Sequence, residues 1–288
     1  MKVTPSGRAL GATIDGLDLS SPFPDSTFRE IEKALGSYSV LRFPRQKLSA
    51  AQLRDFAARF GDLEVNVASG PYQEPGVPEV MTLSNIVRDG KAIGLGDAGQ
   101  GWHTDMSYSR TIALANVLYG IQIPKRDGKA LGGTQFANMH AAYEDLPEDV
   151  KGVLAGKTIL HDFEKFWEMM RKQGGRRPPL TEAQRKQKPP VSHPAVLVNP
   201  LSGRKVLYAN PGYSIRINEL PVEESDELLE FLFEHQVKLE YLYTFEWEEG
   251  DVLFWEDLGT IHNAIADYGP EEYRLIKRCQ VMANRYGL

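Results

Sequence analysis

Apolar residues recur at helical spacing in two stretches near the start of the chain. Phe28, Ile31 and Leu35 follow Asp25 and Ser26, either of which can cap a helix that Gly36 would stop. A strand is predicted over 38–43. Ser49-x-x-Gln52 has the form of a capping box, in which each side chain satisfies a backbone N–H of the other residue. It opens a second helix with Leu53, Phe56, Ala57 and Phe60 on one face, ended by Gly61. Both stripes read as core rather than as cofactor contacts.

Beyond Gly61 the pattern becomes short and strand-like. Residues 64–100 carry the turn formers Gly70-Pro71, Glu74-Pro75-Gly76 and Asp89-Gly90 around an apolar piece at 80–83, and the glycine-rich run 94–101 reads as a flexible approach to the segment around His103. Strands are predicted at 116–123, after the turn Gly132-Gly133, and at 195–198, 206–209, 214–217 and 252–255, the last entered through the tight turn Glu249-Gly250-Asp251. Helices are predicted over 139–146 and 223–239. Between 157 and 194 the chain turns polar, with Phe163, Phe166 and Trp167 among charges and Pro178-Pro179 and Pro189-Pro190 near its end. This stretch is too short and polar to bury a core of its own and is read as a lid-like insertion in a single domain spanning 1–288. Many short strands with few long helices fit a double-sheet jelly roll, and a generic α+β fold fits equally well.

Composition narrows the function only by exclusion. With 42% apolar and 25% charged residues the chain is ordinary globular protein, and a net charge of −6 argues against nucleic acid or an anionic membrane surface as partner. The single Cys279 cannot form an internal disulfide and, facing away from the arginines of its strand, reads as core. No basic-plus-apolar leader and no run of about 18 apolar residues is present, so a cytoplasmic protein is expected.

The candidate chemistry centres on Gly101-Trp102-His103-Thr104-Asp105, which reads as a strand end with an imidazole and a carboxylate on one face. Six His and 39 acidic residues in 288 would supply about 0.8 such His-x-acid pairs by chance, so the pair alone carries little. His262 gives it company. Twelve and sixteen residues beyond it stand Arg274 and Arg278, which share one strand face with Ile276 and would aim two guanidiniums at the same place. Two His and one Asp form a facial triad that leaves positions open on an octahedral Fe(II). A zinc hydrolase would draw a ligand pair from one helix, as in His-Glu-x-x-His, and no such motif occurs. A non-catalytic jelly-roll binding protein with a vestigial site is the remaining alternative. His140, His161 and His235 lack ligand-spaced partners and read as structural; His193, before Pro194, reads as a strand start. Tyr108, Tyr208 and Tyr213 are core aromatics that can also line a pocket.

These segments, with Gly11-Ala12-Thr13-Ile14-Asp15-Gly16-Leu17-Asp18-Leu19, Gly132-Gly133-Thr134-Gln135-Phe136, Ala141-Ala142-Tyr143, His193-Pro194, Asn210 and the block from Trp255 to Arg278, occur in a known order. The chain resembles the taurine/2,4-dichlorophenoxyacetate dioxygenase (TauD/TfdA) family of Fe(II)- and 2-oxoglutarate-dependent oxygenases. The resemblance implies a double-stranded β-helix (jelly-roll, cupin-like) core with flanking helices. It implies iron on His103, Asp105 and His262, and the distal carboxylate of 2-oxoglutarate on Thr134 and Arg274. O₂ is the second cosubstrate, succinate and CO₂ are products, and Arg278 meets an anionic group of the prime substrate. It also implies a homo-oligomer, since the family is commonly oligomeric. The family's Trp-Asp-Asn-Arg reads Trp255-Glu256-Asp257-Leu258 here, and the two residues that grip taurine's sulfonate align with Asn66 and Ser69, while an upstream asparagine aligns with Gly99. Taurine is therefore not the expected substrate. Asn66, Ser69, Tyr213 and Arg278 are the candidate substrate contacts, for an aryl or aryloxy carboxylate or an alkyl sulfonate.

Overall fold

The computed structural model describes residues 1–65, 71–173 and 178–288. Its largest element is an eight-stranded sheet ordered Lys2–Pro5, Ala12–Asp15, Val40–Phe43, Val252–Glu256, Ala113–Gln122, Leu275–Met282, Val77–Ser84 and Gln73–Glu74. All neighbours are antiparallel except Ala12–Asp15 beside Val40–Phe43. Residues distant in sequence therefore meet at its centre, where Val252–Glu256 and Leu275–Met282 flank Ala113–Gln122.

One face of this sheet is closed by the two N-terminal helices, Asp25–Tyr38 and Ala50–Ala58. Ile31, Leu35, Leu53 and Phe56 pack there with Phe43, Val117, Phe254 and Cys279, all buried. Burial, with Glu79 as the next cause, pushes the Cys279 thiol up to about 12, consistent with a core residue. The Ser49/Gln52 capping box forms as expected. The first helix departs from expectation at both ends. Asp25 lies inside it, after Pro24, and Gly36 does not stop it: the helix runs on to Tyr38 and closes at Ser39 in a left-handed conformation (φ 59°), whose N–H bonds the Leu35 carbonyl. Gly36 serves close approach instead, since a Cβ there would lie 2.5 Å from the Leu201 carbonyl oxygen.

The other face packs against a three-stranded sheet of Leu242–Phe245, Thr134–Asn138 and Thr260–Ala264. Phe136 and Phe245 of that sheet, with Trp247, meet Val40, Met81, Leu83, Leu118, Leu253, Trp255 and Ile276 of the large one. Side chains alternate across each strand, so Arg278 and Gln280 emerge on the same inner face as Ile276, while Cys279 points out to the helices. This alternation brings cationic and polar groups to one end of an otherwise apolar layer.

The 157–194 stretch is more integrated than its composition suggests. It begins with Thr158–His161 and ends with Val191–Pro194, which pair with each other and, through the former, with Ser214–Ile217. Between them the helix Phe163–Lys172 starts at Asp162, whose carboxylate accepts from the Glu164 N–H, and Glu182–Gln187 opens on a Thr181/Gln184 capping box. Ile159 and Ile217 anchor the base of this region on Leu229 and Leu232 of the helix Val222–Gln236.

The remaining histidines hold the fold. His235 pairs with the Ala142 carbonyl at 2.7 Å, His193 with the Ser109 carbonyl at 2.9 Å and His140 with the Lys205 carbonyl at 3.2 Å. His161 is fully buried with neither ring nitrogen hydrogen-bonded among the described residues, packed against His193 and Tyr208. Burial, followed by His193 and Lys165, pushes it down to about 3. Between pH 6.5 and 3 the unfolded chain holds the His161 proton and the folded chain does not, so stability is lost as pH falls through that window. Replacing His161 with Leu should flatten the acid side of the stability–pH curve by up to about 1.4 kcal/mol per pH unit. Urea unfolding at several pH values from mildly acidic to neutral measures this; parallel curves for variant and wild type would remove His161 as the cause.

Candidate active site

The site is assembled by two backbone hydrogen bonds. The His103 N–H donates to the His262 carbonyl at 3.0 Å and the His262 N–H to the His103 carbonyl at 2.7 Å, an isolated antiparallel bridge on the edge of Thr260–Ala264. The approach is fixed as well: the Gly101 N–H donates to Asn263 Oδ1 at 2.7 Å, and a Cβ on Gly101, at φ 90°, would fall 2.8 Å from Met169 Cε. Asp105 does not continue a strand. It lies in the turn just beyond, where Met106 adopts φ 58°, so its side chain reaches the imidazoles by chain reversal rather than by strand alternation.

His103 Nε2 lies 3.9 Å from Asp105 Oδ1, and His262 Nε2 lies 3.8 Å from Asp105 Oδ2. One ligand atom from each of the three residues falls within 4.8 Å of the others, and this is the metal-competent cluster among the described residues. The His103 Nδ1 sits 2.7 Å from the Gly101 carbonyl, which fixes Nδ1–H as donor and leaves Nε2 free to ligate. Burial lowers the affinity of both imidazoles for a proton, that of His262 furthest, with His103 as the next cause. Burial pushes Asp105 the other way, but Arg278 first, then the two histidines, bring it down to about 2. Two neutral imidazoles and one carboxylate are the donor set a divalent iron takes.

Asn116 and Asp257, which no sequence motif singles out for this role, hold the set in place. The Asn116 amide donates to Asp105 Oδ2 at 2.9 Å and to Asp257 Oδ2 at 2.8 Å, while its carbonyl oxygen accepts from Arg278 Nε at 2.9 Å. Arg278 Nη2 donates to Asp105 Oδ2 at 2.9 Å, so Oδ2 is saturated and Oδ1 is left facing His103. Asp257 also accepts from the Trp255 indole at 3.1 Å and lies 4.0 Å from His262 Nδ1, which has no hydrogen-bond partner among the described residues. Burial and then Asp105 raise the Asp257 carboxyl well above the usual range. The available signal for Asn116 was a lone amide inside the apolar strand Ala113–Gln122.

Arg274 is 8% exposed and makes no ion pair among the described residues, and its Nε lacks a hydrogen-bond partner there. Its guanidinium lies 6.0 Å from the Tyr268 ring and so close to Gly132 that a Cβ there would sit 2.9 Å from Nε. Thr134, two residues on, is buried at the start of its strand, and its hydroxyl accepts from the Trp247 indole at 3.1 Å. Tyr268 and the more distant Asp267 offset only part of the burial of Arg274, and a buried guanidinium with no carboxylate in contact is costly to maintain and is a fit for a carboxylate ligand. An aromatic wall flanks the other side: the Phe166 ring is 4.8 Å from His103 and 5.0 Å from Tyr213, and Tyr213 is 4.8 Å from Tyr108. Asn66 and Ser69 lie outside the described residues.

Residues 2–280 match the family model described as "Taurine catabolism dioxygenase TauD, TfdA family". The chain belongs to the TauD/TfdA family. It is 31% identical over 287 residues to pentalenolactone F synthase of Streptomyces arenae, covering 96% of this chain and 94% of that protein. It is also 31% identical to the alpha-ketoglutarate-dependent 2,4-dichlorophenoxyacetate dioxygenase of Cupriavidus pinatubonensis, with 87% of each chain covered. Among solved structures, a putative alpha-ketoglutarate dependent 2,4-D dioxygenase from Burkholderia xenovorans superposes with a TM-score of 0.81 at 29% identity, covering 99% of this chain and 98% of that one. As a TauD/TfdA member the chain is an oxidoreductase, an alpha-ketoglutarate (2-oxoglutarate)-dependent dioxygenase that uses Fe(II), 2-oxoglutarate and O₂. The vestigial-site alternative is thereby set aside. Removing the hub should loosen the metal: Asn116→Ala is expected to weaken Mn(II) or Fe(II) binding by roughly 10–100-fold. Calorimetric titration under nitrogen measures the Kd, circular dichroism checks the fold, and wild-type affinity in a folded variant would detach Asn116 from the metal.

Proposed function

We propose that the chain forms one domain over residues 1–288, with a double-stranded β-helix at its centre and the 157–194 stretch as its lid. We further infer that it hydroxylates a small organic anion, an aryl or aryloxy carboxylate or an alkyl sulfonate, and in so doing releases succinate and CO₂. The two facing sheets and the packing of Phe166 over His103 support the architecture. One observation carries the substrate class: Arg278 spends two of its five N–H groups on Asp105 and Asn116, leaving three beside the metal ligands. Those donors are suited to a planar carboxylate or a sulfonate.

When bound, Fe(II) with 2-oxoglutarate and O₂ supplies the oxidising power for attack on a C–H bond. The chain supplies aim and exclusion. His103, Asp105 and His262 hold the metal, Arg274 and Thr134 hold the distal carboxylate of the cosubstrate, and Arg278 fixes the acid end of the substrate. Phe166, Tyr213 and Tyr108 keep water from the reacting carbon and offer faces to an aryl or alkyl body. Hydroxylation beside an ether or ester oxygen gives a product that fragments, so cleavage follows from the same step.

Arg274→Ala should raise the KM for 2-oxoglutarate by about 10–100-fold, since a charge-assisted bidentate contact is lost, while leaving the KM for the acid substrate within about twofold. Arg278→Ala should weaken the acid substrate and, because Asp105 loses its partner, the metal as well. Succinate release from 2-oxoglutarate under O₂ is the readout, with a panel of aryloxy acids, aryl acids and alkyl sulfonates. An unchanged cosubstrate requirement in Arg274→Ala would reassign the arginines.

A further inference from the structure

The indole of Trp247 is buried behind Thr134, with its Nε1 3.1 Å from Thr134 Oγ1. Its seat is tight on other sides. The Phe245 ring meets it edge-on at 5.0 Å, and a Cβ on Gly120, in the central strand of the large sheet, would lie 3.1 Å from Trp247 Cε3. An indole N–H can only donate, so one lone pair of the Thr134 hydroxyl is committed to it. The hydroxyl hydrogen has to point elsewhere, and it meets no protein acceptor among the described residues.

Strand register says what the hydroxyl faces. Phe136 pairs with His262 and Thr134 with Ala264, so Thr134 shares the face of Phe136, one pair farther along from the metal ligands. Two residues beyond it, Gly132 lies against Arg274, where a Cβ would sit 2.9 Å from the guanidinium Nε. His262, Thr134 and Arg274 thus follow one another along this strand pair. A ligand that stretches from the metal ligands to Arg274 passes the Thr134 hydroxyl and meets it as a donor. A carboxylate answers both groups, because its oxygens only accept: one takes the guanidinium and the other the hydroxyl. We propose that Trp247 is a positioning residue for 2-oxoglutarate, acting through Thr134: by donating to Oγ1 it turns the hydroxyl hydrogen towards the distal carboxylate of the cosubstrate. This rests on the reading of Thr134 and Arg274 as the distal-carboxylate site and adds the residue that aims it. Without the indole the hydroxyl is free to turn away, and it is a weaker donor because nothing polarises it from behind.

The test is a double-mutant cycle on Mn(II)-loaded protein under nitrogen, read as the calorimetric Kd for 2-oxoglutarate and for 2-oxopentanoate, which carries a methyl group in place of the distal carboxylate. Trp247→Phe removes the N–H and keeps an aromatic ring. Trp247→Met fills the same space differently should the first variant not fold, and circular dichroism checks both. Each should weaken 2-oxoglutarate by about 3–10-fold, the effect of one neutral hydrogen bond, and leave 2-oxopentanoate within about twofold. Thr134→Val should weaken 2-oxoglutarate by about tenfold or more, because a bond to a charged group is lost. In that background the Trp247 change should add less than about twofold, since no hydroxyl is left to aim. Equal weakening of both 2-oxo acids, unchanged 2-oxoglutarate affinity in the Trp247 variants, or a full Trp247 effect in the Thr134→Val background would overturn the role of Trp247 alone. Wild-type affinity for 2-oxoglutarate in Thr134→Val would overturn the reading of Thr134 itself, and the role of Trp247 with it.

Discussion

A carboxylate that must stay ionised in a nearly water-free pocket sets the terms for the rest of this structure. Burial by itself would drive Asp105 towards its neutral form, and Arg278, at 2.9 Å from Oδ2, reverses that. The guanidinium in turn has to be held, and Asn116 holds it through Nε while bonding the same carboxylate from its amide. Asn116 sits on the central strand of the large sheet and Arg278 on its neighbour, so the charge state of Asp105 depends on strand register. A slip by one residue would turn Arg278 out to the helices and leave Asp105 without its guanidinium.

The same logic explains the division of labour between the two arginines. Arg278 spends two of its five N–H groups on the protein and keeps three, whereas Arg274 makes no ion pair among the described residues and has an unpartnered Nε. Such a group is unfavourable until an anion arrives, which is the ground for proposing Arg274 as the partner of the cosubstrate's distal carboxylate. Around both, glycines let backbone and side chains come close: Gly132 against Arg274, Gly101 against Met169, and Gly212 against His103, where a Cβ would lie 2.8 Å from that residue's own.

The helix Phe163–Lys172 ties the insertion to the chemistry. Phe166 stacks near His103, and Lys188, at the far end of the insertion, lies 4.8 Å from the ring centres of Tyr108 and Phe163. The strands at either end of the stretch pair with each other and with Ser214–Ile217, so the helix Phe163–Lys172 springs from paired backbone.

Sequence alone determined what depends on local chemistry. The Ser49/Gln52 cap, the apolar faces of the first two helices, the strand at Ser214–Ile217 and the outward-facing Cys279 follow from periodicity and capping. His103, Asp105 and His262 stood out because their residue types and the order of their segments are distinctive, and the structure brings the three together even though the strand geometry assumed for Asp105 is a turn. Tertiary structure decided everything that rests on a meeting of distant residues. It made Gly36 a contact point rather than a helix stop, and it recruited Asn116 and Asp257, separated by 141 positions, to one hydrogen-bond network. A lone polar residue in an apolar strand has no meaning until its cross-strand partners are known. Sheet pairing supplies those partners, and nothing in the local sequence encodes them.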